Sequence, residues 1–245
     1  MNIEALLQTY PRVRPPLTAA HKAVFAEQYK LNREGSRPVE FLAQKLEEWM
    51  HRRVAGTCGS PVLELGAGTL NHLRFELPTD EYDIVEPFHE LYANRPDIHR
   101  IRTFYDRVAD IPRQQSYTRV ISIAVLEHME SLPAELALAA VRLGRNGVFQ
   151  AGVPTEGSAL WWLGWRFSTG MSYYFRTGLD YGTVMRHEHV NSSAEIEAFV
   201  NYLFADVRIQ RFPFPWKHLS FYTYVEAKNP RIERCETIIQ GDRPR

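Results

Sequence analysis

Residues 61–72 read PVLELGAGTLNH, and this short stretch decides the fold. Three apolar residues and one carboxylate run directly into the alternating glycines Gly66 and Gly68. A buried parallel strand that turns sharply into a helix has this form, because glycine lets a ligand approach the backbone closely. The stretch therefore predicts a nucleotide-like ligand beside the glycines, and the carboxylates around them decide which one.

Strand-like runs recur after the glycine stretch, with helical stretches between them. They are VLEL at 62–65, YDIVE at 82–86, IRTFY at 101–105, RVISIA at 119–124 and GVFQAGV at 147–153. Apolar strands that alternate with helices are typical of a parallel sheet covered on both faces. Two later runs, ADVRIQRFPF and HLSFYTYVEA, follow each other without a helix and predict an antiparallel edge pair. The predicted fold is α/β, a Rossmann-like doubly wound and mostly parallel sheet of seven strands.

The chain divides into three predicted segments. Residues 1–38 are predicted to form a helical arm that covers a site, residues 39–230 one α/β domain, and residues 231–245 a polar, solvated tail. Within the domain, residues 39–54 place apolar side chains on one helical stripe, which predicts an amphipathic helix packed on the sheet.

The composition limits which classes of protein the chain can belong to. A chain of 245 residues with 44% hydrophobic and 24% charged residues suits one large globular domain. Lys+Arg and Asp+Glu are equal at 29 each, so no net field attracts nucleic acid, and we expect no such partner. The patterns predict neither a signal peptide nor a membrane span, and hence a cytoplasmic protein. Cys58 and Cys235 lack metal-type spacing and indicate reduced thiols, and the sequence is silent on oligomeric state.

Two carboxylates discriminate between nucleotide-like ligands. Glu86 ends the second strand, where an acid can accept both hydroxyls of a ribose, including that of NAD. Glu64 lies two residues before Gly66, where it repels a pyrophosphate but attracts a cationic amino-acid group. The dinucleotide pattern G-x-G-x-x-G also needs a third glycine where the chain has Asn71. S-adenosylmethionine, with a ribose and a cationic amino acid but no phosphate, fits these groups best.

The sequence resembles the class I S-adenosylmethionine-dependent methyltransferases across residues 39–228. The matching pieces, in the order and spacing of that family, are LELGAG, YDIVEP, RVISIAVLEHMESLP, RNGVFQAGVP and RHEHVNSSAEIEAFV. The chain departs from the pattern at Leu70, where the family most often has a third glycine. GAGTLNHL followed by YDIVEPF is similar to enzymes of bacterial surface-glycan or secondary-metabolite synthesis. The resemblance implies methyl transfer from S-adenosylmethionine to a small molecule or a glycan intermediate, at oxygen.

The same resemblance implies which residues contact the cofactor, most of them at strand ends. They are Glu64, Gly66, Ala67 and Gly68 at the methionine end, Glu86 at the ribose, Pro87 or Phe88 near the adenine, Asp106 or secondarily Asp110 at the adenine amine, and Ile123 and Ala124 at the pocket floor. The aromatic-rich insert at 158–182, after the fifth strand, is expected to cover the acceptor pocket. Its rings could stack on a sugar or an aromatic acceptor.

Histidines are the candidate bases. Methyl transfer from a sulfonium needs mainly alignment, but a hydroxyl acceptor must also lose a proton. His189 and His187 lie in a polar loop after the fifth strand and are the first candidates, with His189 favoured. His128, after the fourth strand, is third. Each imidazole also has a structural interpretation, as a hydrogen-bonded loop or cap residue, and His72 is predicted to satisfy local backbone groups.

Glu127 and His128, with His187 or His189, have the ligand types of a divalent-ion site. The resemblance implies that an ion would be held here by a Glu-x-x-Glu-His run, and Ala124 stands where the first Glu of that run would be, so we predict no metal. Two other functions stay open: a binding protein of methyltransferase fold without turnover, and a nicotinamide-dependent oxidoreductase, which the carboxylate pattern disfavours.

Overall fold

The computed structural model describes residues 1–24, 40–55, 57 and 59–241, and for residues 40–45 it describes the backbone alone. Seven strands of this part form one sheet. In chain order they are β1 (Val62–Leu65), β2 (Tyr82–Val85), β3 (Thr103–Tyr105), β4 (Tyr117–Ile123), β5 (Leu143–Pro154), β6 (Phe204–Pro213) and β7 (Ser220–Pro230). Their order across the sheet is β3-β2-β1-β4-β5-β7-β6. Strands β1 to β5 run parallel, and β7 pairs antiparallel with β5 and β6. The predicted sheet and its antiparallel edge pair are therefore confirmed.

Helices flank this sheet. The α-helices are α1 (Ile3–Leu7), α2 (Glu40–Ala55), α3 (Leu132–Ala140), α4 (Ala159–Trp165), α5 (Met171–Thr177), α6 (Tyr181–Glu188), α7 (Ser193–Leu203) and α8 (Ile232–Gly241). A π-helical turn, Arg166–Gly170, joins α4 to α5. Short 3-10 helices occupy Leu73–Phe75, His89–Leu91, Pro96–Arg100, Val108–Asp110, Leu126–His128 and Lys217–Leu219. Residues 19–24 are also helical. Among the described residues, no helix is both long and apolar enough to cross a membrane.

The core lies on both faces of the sheet, as a doubly wound fold requires. Successive residues of a strand point to opposite faces. Leu63 packs in one apolar cluster with residues of α3 and α7, whereas Val62 packs in a second cluster with Met50 and Val54 of α2. The helix predicted at 39–54 is therefore present as α2 and is amphipathic in the expected sense.

The turn after β1 depends on glycine at position 66. Gly66 has a φ of +69°, and a Cβ there would lie 2.5 Å from both γ-carbons of Val125. Leu70 has a φ of +61°, the left-handed conformation that a third glycine would adopt more easily. That conformation costs about 1–2 kcal/mol. The Leu70 side chain is only 3% exposed, however, and burying a leucine contributes about 1.5–3 kcal/mol. Burial thus offsets the strain at the position where the chain departs from the family pattern.

The segment after Pro230 is not the solvated tail that the sequence predicts. It forms α8, and Cys235 on this helix is a fully buried, free thiol. Cys235, Ile238 and Ile239 recur at helical spacing and pack against the core on the α3 side. The prediction failed because this apolar stripe is short and sits among charged residues.

Several predictions fall on residues that the structure does not describe. The proposed boundary between residues 38 and 39, most of the helical stretch expected before it, Cys58 and residues 242–245 lie outside the described part. The division into arm and domain stays a prediction.

Candidate active site

A cavity of about 780 Å³ opens at the carboxyl ends of β1, β2 and β4. A cavity of this size lies within the usual range for small-molecule sites, about 300–1,000 Å³. Apart from Asp110, the second choice at the adenine amine, every residue that the resemblance assigns to the cofactor lines it: Glu64, Gly66, Ala67, Gly68, Glu86, Pro87, Phe88, Asp106, Ile123 and Ala124. The fold thus brings together side chains and backbone from four separate strand ends.

Glu86 ties the glycine turn to the end of β2. Its Oε2 accepts a hydrogen bond from the backbone N–H of Gly68 at 2.8 Å, and its Oε1 accepts one from the N–H of Phe88 at 3.0 Å. The side chain is 5% exposed. Each carboxylate oxygen has a second lone pair. Glu86 can therefore hold the turn in shape and still accept the two hydroxyls of a ribose.

Glu64 is a buried carboxylate on the wall of the same cavity. It is 2% exposed, and its Oε2 accepts a hydrogen bond from the Tyr82 hydroxyl at 2.8 Å. Burial raises the pKa of Glu64, while the nearby His72 and the Tyr82 hydroxyl act in the opposite direction. A buried carboxylate of this kind gains most from a cationic partner, because the partner restores its charged form. An ammonium group suits this position.

Among the described residues, the His72 ring hydrogen-bonds to two side chains and not to the local backbone groups that the sequence predicts. Its Nε2 bonds Glu76 Oε1 at 2.8 Å, and its Nδ1 lies 3.1 Å from Nδ1 of His51. Both imidazoles line the cavity, and burial lowers the pKa of His51 to about 4. Sequence reasoning missed His51, because only the folded chain places α2 beside the glycine turn.

Asp106 and Asp110 occupy different environments. Asp106 lines the cavity and accepts a hydrogen bond from His89 Nε2 at 2.7 Å. Asp110 instead pairs with Arg107 at 2.8 Å, closing the 3-10 turn there, and it is not among the residues that line the cavity. The geometry favours Asp106, the first choice of the sequence, for contact with an adenine.

Among the three candidate bases, only His128 lines the large cavity. Its Nδ1 lies 2.9 Å from the backbone oxygen of Glu188. A carbonyl oxygen only accepts, so Nδ1 carries the proton and the neutral ring keeps a lone pair on Nε2. Burial, together with the neighbouring His189, lowers the pKa of His128 to about 4. His128 is therefore neutral at physiological pH, and its unprotonated Nε2 lies 3.7 Å from Glu127 Oε1.

His189 and His187 are engaged elsewhere. His189 donates from Nδ1 to Glu156 Oε2 at 2.8 Å. Burial by itself would lower the pKa of His189, but the Glu156 hydrogen bond and the surrounding carboxylates raise it overall. The Nδ1 of His187 donates to the carbonyl oxygen of Pro15 at 2.8 Å. Neither ring is among the residues that line the large cavity, so position relative to this cavity favours His128, which the sequence ranks third.

The described residues also bring metal-ligand types together at one point. Glu127, His128 and His189 each offer one potential ligand atom, and these atoms lie within 4.8 Å of one another. Glu127 is 1% exposed, and its Oε2 has no hydrogen-bond partner among the described residues. Burial raises the pKa of Glu127 to about 7, and the pKa of His189 is also raised. The cluster offers a single carboxylate, and the absence of a metal stays a prediction.

Arg14, from the N-terminal arm, is a cavity residue that sequence reasoning missed. Its guanidinium donates to Glu130 Oε1 at 2.8 Å and to the backbone oxygens of His128 at 2.7 Å and His187 at 3.2 Å. It therefore joins the loop after β4 to the end of α6 at the cavity wall. Arg14 is the one residue of the described segment 1–24 that lines this cavity, and no local pattern in the sequence marked it.

Comparison with solved structures places this geometry in a known fold. A possible histamine N-methyltransferase from Thermotoga maritima is 12% identical, with a TM-score of 0.56, and the match covers 83% of this chain and 95% of that one. The plantazolicin methyltransferase BpumL, solved with a substrate analogue and SAH, is 12% identical, with a TM-score of 0.55 and coverage of 85% and 90%. The N-methyltransferase NodS from Bradyrhizobium japonicum, solved with S-adenosylhomocysteine, is 10% identical, with a TM-score of 0.52 and coverage of 81% and 91%.

No protein-family model and no curated protein matches the sequence. At such low identities, the structural matches establish architecture. The chain has the fold of the class I S-adenosylmethionine-dependent methyltransferases.

Proposed function

We propose that the protein transfers a methyl group from S-adenosylmethionine to an oxygen of a small-molecule acceptor. One observation carries the proposal: the residues that the family pattern assigns to the cofactor line a single cavity at the strand ends. Within it, a buried carboxylate at Glu64 suits the ammonium of the methionine moiety, and Glu86 suits the ribose. A pyrophosphate would meet the negative charge of Glu64, which argues against a nicotinamide cofactor.

The choice of oxygen rests on His128. An amine that is already deprotonated needs no base, whereas a hydroxyl must lose its proton as the methyl group arrives. The acceptor oxygen gains positive charge in that step, so its proton becomes strongly acidic. A neutral imidazole can take this proton even with a pKa lowered to about 4. The methylated product would then leave with S-adenosylhomocysteine. We also propose that the acceptor is a sugar and that the protein acts in the cytoplasm.

Methyl-labelled S-adenosylmethionine tests the activity. We expect label to pass to one class of hydroxylated compound in a panel of sugars, phenols and amines. Transfer should fall when Glu86 is replaced by alanine and should persist in Asp80→Ala, a matched surface control outside the cavity. Label that passes only to amines would contradict the assignment of oxygen, and no transfer across the panel would count against turnover.

The same assay tests the metal prediction. Turnover should persist in excess EDTA, because Ala124 supplies no second carboxylate beside Glu127 and His128. Complete loss of activity, restored by magnesium or manganese, would show instead that the Glu127, His128 and His189 cluster binds an ion.

A further inference from the structure

A surface of exposed aromatic side chains lies on two segments that the proposed chemistry does not use. The six members that expose half or more of their surface are Trp162, Phe167, Tyr174, Phe175, Phe214 and Trp216. Four lie on the continuous helical run at 159–177, and two lie in the turn between β6 and β7. Soluble proteins rarely leave so many large apolar groups exposed together unless the surface binds something. We call these six residues the aromatic surface.

The two segments pack against each other and form one surface. Ser158 Oγ donates to the backbone oxygen of Ser220 at 2.9 Å. A Cβ at Gly164 would lie 2.8 Å from the ring of Phe221, so α4 and the start of β7 are in direct contact. Along the helical run, Leu163, Phe167, Met171 and Phe175 recur every fourth residue, and all four side chains are exposed. This spacing places them on one stripe of the helix.

Basic side chains outnumber acidic ones around the aromatic surface, where Asp180 lines a groove and pairs with Arg166 at 3.4 Å. Arg166 and Arg176 lie on the helical run, and Lys217 lies in the turn. Neither residues 157–179 nor residues 212–225 contain an aspartate or a glutamate. Arginine and lysine can extend their charged groups beyond neighbouring rings while the aliphatic part of each side chain covers apolar surface. The surface is therefore aromatic at its centre and cationic around it.

We propose that the aromatic surface docks on a lipid bilayer that contains anionic headgroups. Aromatic side chains insert at the headgroup level of a membrane, and basic side chains beside them bind anionic lipids. A second copy of the chain would instead bring the same three cations against one another, with no carboxylate in either segment to neutralise them. The charge pattern thus selects a lipid surface over self-association.

Two further cavities lie between the aromatic surface and the candidate active site. A groove of about 480 Å³ is lined by Phe167 and Tyr174, and it shares Trp165, Arg166 and Asp180 with a second cavity of about 260 Å³. The second cavity reaches His189. The His189 ring lies 4.9 Å from the ring of His128, which lines the large cavity. Docking itself is independent of the proposed methyl transfer, so the two can fail separately.

Vesicle flotation tests the docking surface. We expect the full chain to float with phosphatidylcholine vesicles that contain phosphatidylglycerol, and the tryptophan emission to shift to the blue as Trp162 and Trp216 leave water. Replacing Phe167 and Phe175 by serine should lower the bound fraction by about tenfold or more, because two rings no longer leave water. Both side chains are exposed, so the double variant should fold normally. Leu77→Ser, at a residue that is 70% exposed and outside both segments, is the matched control and should bind normally.

Charge reversal at two arginines is the second part of the vesicle experiment. Arg166→Glu with Arg176→Glu should abolish the preference for phosphatidylglycerol. Equal flotation of the Phe167→Ser and Phe175→Ser double variant and the wild type would overturn the proposal, as would absence of binding to anionic vesicles. A dimer in sedimentation that the same double variant dissociates, without vesicle binding, would identify a second copy as the occupant and also overturn it.

Discussion

Replacing His128 by alanine should lower the turnover rate on a hydroxyl acceptor by about 10²- to 10⁴-fold, the usual contribution of a positioned base. S-adenosylhomocysteine affinity should stay nearly unchanged, because no cofactor role falls to this imidazole. The expectation rests on the Nδ1 hydrogen bond to the Glu188 carbonyl oxygen, which leaves the lone pair on Nε2. Single-turnover rates with saturating cofactor measure the effect.

The pH profile follows from the lowered pKa of His128. A base acts in its neutral form, which is present above its pKa, and here the pKa is about 4. The rate should therefore already be maximal at neutral pH and should fall only as the pH approaches that value. The sequence alone predicts a rise through the ordinary histidine range, near pH 6.5. A rise centred there would point to a different base.

His189→Ala and His187→Ala are the comparison variants for this experiment. The Nδ1 of His189 donates a hydrogen bond to Glu156, and the Nδ1 of His187 donates one to the Pro15 carbonyl oxygen. Neither ring is therefore assigned as the base in the cavity. Both variants should retain most of the wild-type rate. If His189→Ala lost turnover while His128→Ala kept it, the sequence ranking would be right and the assignment from the structure wrong.

Glu86→Ala should weaken S-adenosylhomocysteine binding by about 10- to 100-fold, since hydrogen bonds to a charged acceptor contribute about 1.5–3 kcal/mol. The variant removes the acceptor of the Gly68 and Phe88 amides as well as the group proposed to bind the ribose. Calorimetric titration gives the affinity directly, with Asp80→Ala as the surface control.

A second variant at the same position removes the charge of Glu86 with little change in the shape of the side chain. Glu86→Gln keeps the shape of the side chain but replaces one acceptor oxygen by a donor, so it should also lose affinity. Unchanged binding in both Glu86 variants would mean that the ligand does not use this carboxylate, and the assignment of the ribose end would be wrong.

Local sequence patterns were sufficient for the sheet and for the cofactor side of the cavity. Strand ends, glycine spacing and Glu86 all lie within short stretches whose geometry follows from the stretch itself. Leu70 shows the limit of such reasoning. Its departure from the family pattern is explained only by the burial of its side chain in the folded chain.

The acceptor side was harder to predict, because its geometry depends on partners that are distant in sequence. His189 meets Glu156, 33 residues away, and His187 meets Pro15, 172 residues away. Arg14 reaches His128 across 114 residues. Contacts between residues so far apart leave no periodic pattern in the sequence. The sequence therefore identified the candidate histidines but could not decide which of them lies in the cavity. Helix α8 was missed for a related reason. Its apolar stripe is short, and it can be recognised as a buried face only once the helix packs against the core.

A single calorimetric titration tests the central claim, that the cavity at the strand ends binds S-adenosylmethionine and its product. We predict that S-adenosylhomocysteine binds with one site per chain and that NADH gives no heat under the same conditions. Binding of NADH without binding of S-adenosylhomocysteine would contradict the account.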